Sequence, residues 1–522
     1  MNPGMLLPRV RRLAGEHRLF TGALAAGAVL RLLASLGYPG ALWFAGDSYV
    51  YLGAALRPQP NLSKSTGYSL FLRLLLPFHS LTLVTTVQHL MGLAVAVMLY
   101  VLLRRNGVST TWSAVATLPV LLDGYLIEDE HLIMAESLFT FLLMVAMLLL
   151  LWRPGPVRWW VAAIAGLLAG YAAVVRTEGA VMLVVLPLFL LLHGWAWKTV
   201  RGWVAAIALA VSALVPVGAY ASWFHEHHGS YQMTMSTGYY VWGRVSSFAD
   251  CAVIKPTGRE ALVCPTQAIA DRTPPGNYIW HAPYVHKNLN ATGGPVTPLN
   301  NTLLTNFAIH AVEAQPLDYA KTVFFNTMMS FGFPRIAYPG AGTTFYYSFH
   351  LHYVVAASST TKGYDLLPPD NPNHEWIKGG TAFRDWLAYG HQAPGVVDKV
   401  FAVPILLYQR VVFTYGPLLA LIFGVGLGGV IGVRHRGRQV RSLRLYWSRR
   451  GTTMLPWFTA VALLTAPIAV ADFDYRYLLP AISFACLAAG LSFAPRRATG
   501  VPAAPPATST ATVESTVPDS VS

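Results

Sequence analysis

The chain is short of charge. Only 11% of its 522 residues are Asp, Glu, Lys or Arg, against about 25% in ordinary soluble domains. That shortage excludes a well-solvated globular surface along most of the chain, because 54% of the residues are hydrophobic and have to be covered by something other than water. Acids are scarcer than bases, 23 against 37 Lys and Arg, for a formal charge of +14. The excess of base does not form a binding face for nucleic acid. It falls in short blocks between apolar runs, so no nucleic-acid partner is expected. No internal repeat of obvious period is present. Cysteine is almost absent. Cys486 lies in an apolar run and reads as a small buried hydrophobe, whereas Cys251 and Cys264 fall in the polar middle section, where a disulfide forms if that section lies outside the cytoplasm.

What the chain has instead is long apolar runs, most of a length that crosses the hydrocarbon core. They cover roughly 19–37, 81–103, 110–123, 133–152, 159–175, 180–197, 203–222, 411–433, 453–471 and 477–494. These predict a mainly α, polytopic membrane protein of about ten transmembrane helices. Arg9, Arg11, Arg12 and Arg18 before the first run fit a signal peptide, but the run's length and Arg31 within it favour an uncleaved helix. With the N-terminus inside, Arg104, Arg105, Arg153, Arg158, Lys198, Arg201, the block from Arg434 to Arg450, Arg496 and Arg497 all fall on the cytoplasmic side. That is the distribution the positive-inside rule requires.

Domain boundaries follow. Residues 1–18 form a cytoplasmic N-terminus, and 19–222 a transmembrane core with a first outer loop at 38–80. Residues 223–410 make an extracytoplasmic domain of mixed or irregular structure, and 411–494 the last helices. Residues 495–522 are a Pro-, Ala-, Ser- and Thr-rich cytoplasmic tail expected to be disordered. Tyr68 to Pro77 in the first outer loop reads as a short interfacial helix, and Tyr319 to Phe333 is apolar enough to lie on the membrane.

The acids carry the functional signal, because a charge near lipid is expensive. Asp47 follows the first helix in FAGDSYVYL. Asp123, Glu128, Asp129, Glu130 and Glu136 stand between the third and fourth runs. Glu178 follows Arg176 in VVRTEG, and Asp472, Asp474 and Arg476 stand in ADFDYRYLLP. By the predicted topology all of them meet at the outer face, whereas the inner loops are nearly free of acids. Carboxylates and arginines at headgroup level suit a lipid-phosphate substrate: arginine binds phosphate by paired charge-assisted hydrogen bonds, and a carboxylate can take a proton from a hydroxyl. Transfer of a sugar from such a phosphate through an oxocarbenium-like transition state needs these parts. His225, Glu226, His227 and His228 form HEHH, which lacks the helical spacing of a zinc protease and reads as an interfacial polar run.

On GDSYVYL, STGYSLFLRLLLP, EDEHLIMAESLF, RTEG and DYRYLLPAI, the chain resembles the GT-C fold glycosyltransferases, which use polyprenyl-phosphate sugars. The likeness covers about 20–222 and, more weakly, 450–494. The segment GRVSSFADCAVIKP…LVCP resembles the cysteine-bearing outer loop of uncharacterised actinobacterial members of that group. The resemblance implies an inverting hexosyl- or pentosyltransferase of the bacterial plasma membrane. Its donor would be a polyprenyl-phosphate sugar and its acceptor a hydroxyl on a glycan, lipid or protein of the cell envelope. It implies Asp47 as general base, with Glu130 and Glu136 orienting the acceptor or holding a divalent cation. No cofactor is certain from it. Arg176 and Arg476 would hold the donor phosphate, with Lys64 able to touch it, and His131, Glu178 and Tyr475 would support the acceptor side. The chain departs from the family pattern of two adjacent first-loop acids, since Ser48 follows Asp47. A polytopic transporter or lipid flippase, and a non-catalytic assembly subunit of the same fold, remain as alternatives on the residues alone.

Overall fold

A computed structural model of the protein describes residues 15–153, 155–281, 283–291, 294, 296–333, 335–340, 344–351, 379–391, 396–432 and 443–495. Arg9, Arg11, Arg12, the basic residues from Arg434 to Arg441, Arg496, Arg497 and the C-terminal tail lie outside them.

The described residues form helices joined by turns and extended loops, with no strand and one isolated parallel bridge between Leu42 and Leu132. Each predicted apolar run coincides with helix. The expected ten full-length spans do not appear, however. Among the described residues four helices are long and apolar enough to cross a membrane: Arg18–Gly37, Leu81–Arg105, Val200–His228 and Thr452–Val470. Lys399–Val411 and Gly416–Ile431 make a fifth only if counted together, and they bend by 61° at their junction. The remaining apolar helices are shorter, including Thr110–Leu122, Glu136–Leu151, Trp159–Val175 and Tyr475–Leu491. They stop short because polar or extended residues end them: Asp123 and Arg176 are extended caps, and Glu136 opens its helix. Leu188, Ile207, Val211, Leu214 and Leu421 are exposed on the outside of the bundle. An apolar exterior of this extent belongs to an integral membrane protein.

The segment after His228 is built of short α- and 3-10 helices around a small core of its own, with Trp242, Tyr239, Tyr278, Leu304 and Phe307 buried. Cys251 and Cys264 form the disulfide in it, and Cys486 is free and buried. This segment is anchored to the bundle through Asp472. The Asp472 carboxylate accepts from the Tyr338 hydroxyl at 2.7 Å, the Gly276 amide at 2.7 Å and Asn326 at 3.3 Å, and Arg244 lies 3.6 Å away.

Two devices fix the loops at this end of the bundle. The first is the Leu42–Leu132 bridge. The Leu42 amide donates to His131 O at 2.8 Å and the Ile133 amide donates to Leu42 O at 3.2 Å. Ser48 adds to it: its hydroxyl accepts from the Phe44 amide at 2.8 Å and donates to Ile133 O at 3.1 Å. A carboxylate in its place would face the Ile133 carbonyl, to which it cannot donate.

The second device is a buried polar chain. Arg31 grips Glu130 with two bonds of 2.7 Å, and His89 Nδ1 meets Glu130 Oε2 at 2.9 Å. His89 Nε2 then meets His131 Nδ1 at 2.9 Å, and His131 Nε2 meets Tyr38 O at 2.9 Å. Both ends of the chain are acceptors. Filling every link therefore takes three N–H protons on two rings, which is one positive charge. Burial, and then the neighbouring His89, push the His131 imidazole down to about 3. Gly92 makes room for the carboxylate: a methyl group there would overlap Glu130.

Candidate functional site

Asp47 lies in the first turn of the Ala45–Leu56 helix. Its Oδ2 accepts from Arg476 Nη1 at 2.5 Å and from Lys64 Nζ at 2.9 Å. Burial raises the Asp47 carboxyl, but Lys64 and Arg476 outweigh it and hold the group well below the usual carboxylate range. Lys64 is driven the other way: burial disfavours its charge, and Asp47 more than restores it, so its pKa rises. Arg476 also reaches toward Asp474, with Nε 3.5 Å from Oδ2, and it faces the rings of Phe44 at 5.1 Å and Tyr477 at 5.3 Å.

Arg176 anchors the neighbouring half of the site. It binds Glu136 closely and Glu178 at 3.1 Å, and it faces Tyr477 at 5.8 Å. Burial raises Glu178, but Arg176 lowers it further. Glu136 is 1% exposed, and its Oε2 has no hydrogen-bond partner among the described residues. Tyr51 joins the two halves, since it feels Lys64, Asp47, Glu136 and Arg176 together.

The predicted site residues thus divide. Asp47, Lys64, Glu136, Arg176, Glu178 and Arg476 come together. Glu130 and His131 do not: both are taken up in the Arg31–His89 chain. Tyr475 turns away as well, accepting from the Ile336 amide at 2.8 Å and facing Arg335. Asp129 stands where Glu130 was expected. It is buried and feels Glu136, Arg176 and Arg476, and burial with the Glu136 charge raises it well above the ordinary value. Its carboxylate has no hydrogen bond or ion pair among the described residues. Glu128 is raised too, by burial and then by Asp129.

Two tyrosines from the long middle segment complete the site, and nothing in the sequence singled them out. The Tyr347 hydroxyl donates to Asp474 Oδ1 at 2.5 Å, and its ring stacks on Phe44 at 5.3 Å. Tyr240, pushed up to about 12 by burial and then by Asp47, feels Asp47, Arg476 and Glu178. HEHH ends the Val200–His228 helix, where His228 meets Pro60 O at 2.7 Å and His225 stacks on Tyr231 at 4.1 Å.

Among the described residues no three His, Cys, Asp or Glu side chains are placed to hold an ion. Asp47 is committed to two cations and Glu130 to Arg31.

No protein-family model matches the chain, and no curated protein matches it. Among solved structures, the chain is similar to the Saccharomyces cerevisiae protein O-mannosyltransferase Pmt1–Pmt2 complex bound to its sugar donor. That match has 15% identity and a TM-score of 0.34, over 45% of this chain and 36% of that one. It is also similar to the Archaeoglobus fulgidus oligosaccharyltransferase in the apo form, at 12% identity and TM-score 0.37, over 91% of this chain and 50% of that one. A third match is the oligosaccharyltransferase AglB of the same archaeon in complex with an inhibitory peptide and a dolichol-phosphate, at 11% identity and TM-score 0.37, over 90% and 50%. The chain spans half or less of the length of these structures.

Proposed function

We propose that the protein is an inverting membrane glycosyltransferase that moves a monosaccharide from a polyprenyl phosphate to a hydroxyl outside the cytoplasm. The observation that carries this reading is the Asp47–Lys64–Arg476 cluster: a buried carboxylate held by two phosphate-competent cations, beside a second arginine, at one end of an apolar bundle. In this reading both termini are cytoplasmic and the cluster faces the outer leaflet of a bacterial plasma membrane.

In the donor-free state Asp47 is masked. The donor phosphate competes for Lys64 and Arg476, because arginine and lysine both favour a phosphate oxygen. As they shift to the phosphate, the Asp47 carboxylate loses the charges that keep it weakly basic. It then accepts the proton of the acceptor hydroxyl. The acceptor oxygen forms its bond to the anomeric carbon while the carbon–oxygen bond to phosphate breaks. The bonding pair leaves on the phosphate, which Arg476, Lys64 and Arg176 stabilise. Tyr240 and Tyr347 would wall the acceptor side, giving the middle segment a role in choosing a glycan, lipid or protein.

Uptake or flipping of a lipid is a weaker reading. Arg31 is matched by Glu130 and by the Gly27 and Leu121 carbonyls, at 3.1 and 2.9 Å. It therefore offers nothing to a substrate moving through the bundle. The non-catalytic alternative calls for an Asp47 turned away from Glu130, Glu136 and Arg476; Asp47 is bonded to Arg476, while Glu130 is taken up by Arg31.

The test is a transfer assay on the purified chain in nanodiscs with labelled polyprenyl-phosphate sugars. Asp47→Asn should fold normally and lose at least about 100-fold in turnover, the scale of general-base catalysis. Full activity in a well-folded Asp47→Asn variant would refute the base assignment.

A further inference from the structure

Arg335 is held differently from the arginines of the site. Its guanidinium carbon lies 3.8 Å from the ring centroid of Tyr125, 4.7 Å from Tyr475 and 5.0 Å from Phe413. Three elements distant in sequence supply these rings: the short helix after Asp123, the turn after Asp474, and the break between Lys399–Val411 and Gly416–Ile431. The bond from the Ile336 amide to the Tyr475 hydroxyl, 2.8 Å, fixes the adjoining backbone. Arg176, Arg244 and Arg476 all have carboxylates within 4 Å. Arg335 has none among the described residues, and it is half-exposed.

The guanidinium is clasped on its faces by the rings and reaches the Tyr125 hydroxyl, but no carboxylate neutralises its charge among the described residues. Partly removed from water, that charge calls for an anion. The surroundings say what kind of molecule carries it. Phe333 is 68% exposed, Val411 66% and Ile336 51%. The Phe413 ring lies against Tyr415, centroids 3.9 Å apart, and Tyr415 is one residue before the apolar Gly416–Ile431 helix. Aromatic side chains at the start of an apolar span mark headgroup level. A guanidinium without a counter-charge there, bordered by exposed apolar side chains, suits a phosphate carried on acyl chains.

We propose that Arg335, caged by Tyr125, Tyr475 and Phe413, is a headgroup site for an anionic phospholipid of the bilayer, separate from the Asp47–Lys64–Arg476 cluster. The guanidinium edge takes the lipid phosphate, and Phe333, Ile336 and Val411 line the first part of its acyl chains. The site stands independently of the glycosyl-transfer reading. Because Tyr475 adjoins Arg476, the bound lipid would brace the turn that carries this site arginine.

The test uses the full-length chain purified from nanodiscs containing phosphatidylcholine with phosphatidylglycerol, and native mass spectrometry to count retained lipid. The wild type should keep one phosphatidylglycerol through delipidation. Arg335→Gln should keep it at least about tenfold less often, the worth of one charge-assisted contact. Tyr125→Leu, which leaves the charge but opens the cage, should also weaken retention, and both variants should keep the wild-type elution volume. Equal phosphatidylglycerol retention in wild type and Arg335→Gln overturns the proposal. So does a competition run with added polyprenyl phosphate in which only that lipid is retained at wild-type Arg335 and lost in Arg335→Gln, because the cage would then belong to the donor site.

Discussion

Replacing Lys64 by methionine removes one of the two cations on Asp47 Oδ2 while keeping most of the side-chain volume. The lysine nitrogen is 2.9 Å from that oxygen, and its side chain is 20% exposed against 15% for Asp47. Two unit charges about 4 Å apart in surroundings of effective dielectric about 20 interact by roughly 4 kcal/mol, or about 3 pKa units at about 1.4 kcal/mol each. Arg476 stays in place at 2.5 Å and relaxes toward the vacated side, so a net rise of about 1–2 units is expected. The sign follows from the charge: a carboxylate losing a cation becomes easier to protonate, so its titration moves up. The assay needs no substrate. Carbodiimide couples only protonated carboxyls, and mass spectrometry of the Asp47 peptide after coupling over an acid pH series shows how far the midpoint has moved between the proteins. Unmasking predicts that Lys64→Met reacts at higher pH than the wild type, and that saturating donor moves the wild-type midpoint in the same direction. An Asp47 midpoint that stays put in both cases would refute the claim that these cations control the base.

Three further outcomes follow from the packing. Gly92→Ala puts a methyl group on the Glu130 carboxylate and breaks its grip on Arg31, so the variant should lose about 3–5 kcal/mol, read as a lower unfolding midpoint in detergent; a midpoint unchanged from wild type would contradict the buried chain. Asp472→Ala strips the Tyr338 hydroxyl and Gly276 amide of their acceptor and leaves Arg244, 1% exposed, without a counter-charge. Limited proteolysis should then cut the middle segment at least about tenfold faster than in wild type, consistent with a loss of a few kcal/mol at this contact. Cys251→Ser opens a disulfide between residues 13 apart and should cost about 3 kcal/mol of the middle segment's stability, measured as increased hydrogen exchange from Thr237 to Ala314 with the bundle unaffected.

Much of the site was legible because charge near lipid is scarce. Asp47, Glu136, Arg176, Glu178 and Arg476 stand out against apolar neighbours, and counting crossings puts them at one end. The Glu128-Asp129-Glu130 run was harder. Successive residues there point in different directions, about 100° apart on a helix, so one acid meets the site and the next is buried behind it. The clue that sorts them is Arg31: a lone arginine in a span has to find a carboxylate, and His89 lies on the adjoining helix. Tyr240 and Tyr347 carried no such signal. Their place depends on how the helix Thr237–Ser246 and residues 344–351 pack against the bundle, and no local periodicity encodes that. The number of spans was harder to read for a related reason, since hydropathy runs on through Asp123 and Arg176, where the backbone has already turned out of the helix.

The bridge between Leu42 and Leu132 has a consequence for evolution and engineering. It joins by main-chain bonds the strip of chain that leads into Asp47 and the one that carries Asp129 on one side and Glu136 on the other. The gap between these carboxylates is therefore gauged by backbone, which no side-chain substitution resets. A ligand too wide for that gauge cannot be admitted by trimming side chains alone. Changing what the protein accepts should be easiest from the tyrosine wall of the middle segment, and hardest from the two loops that the bridge locks together.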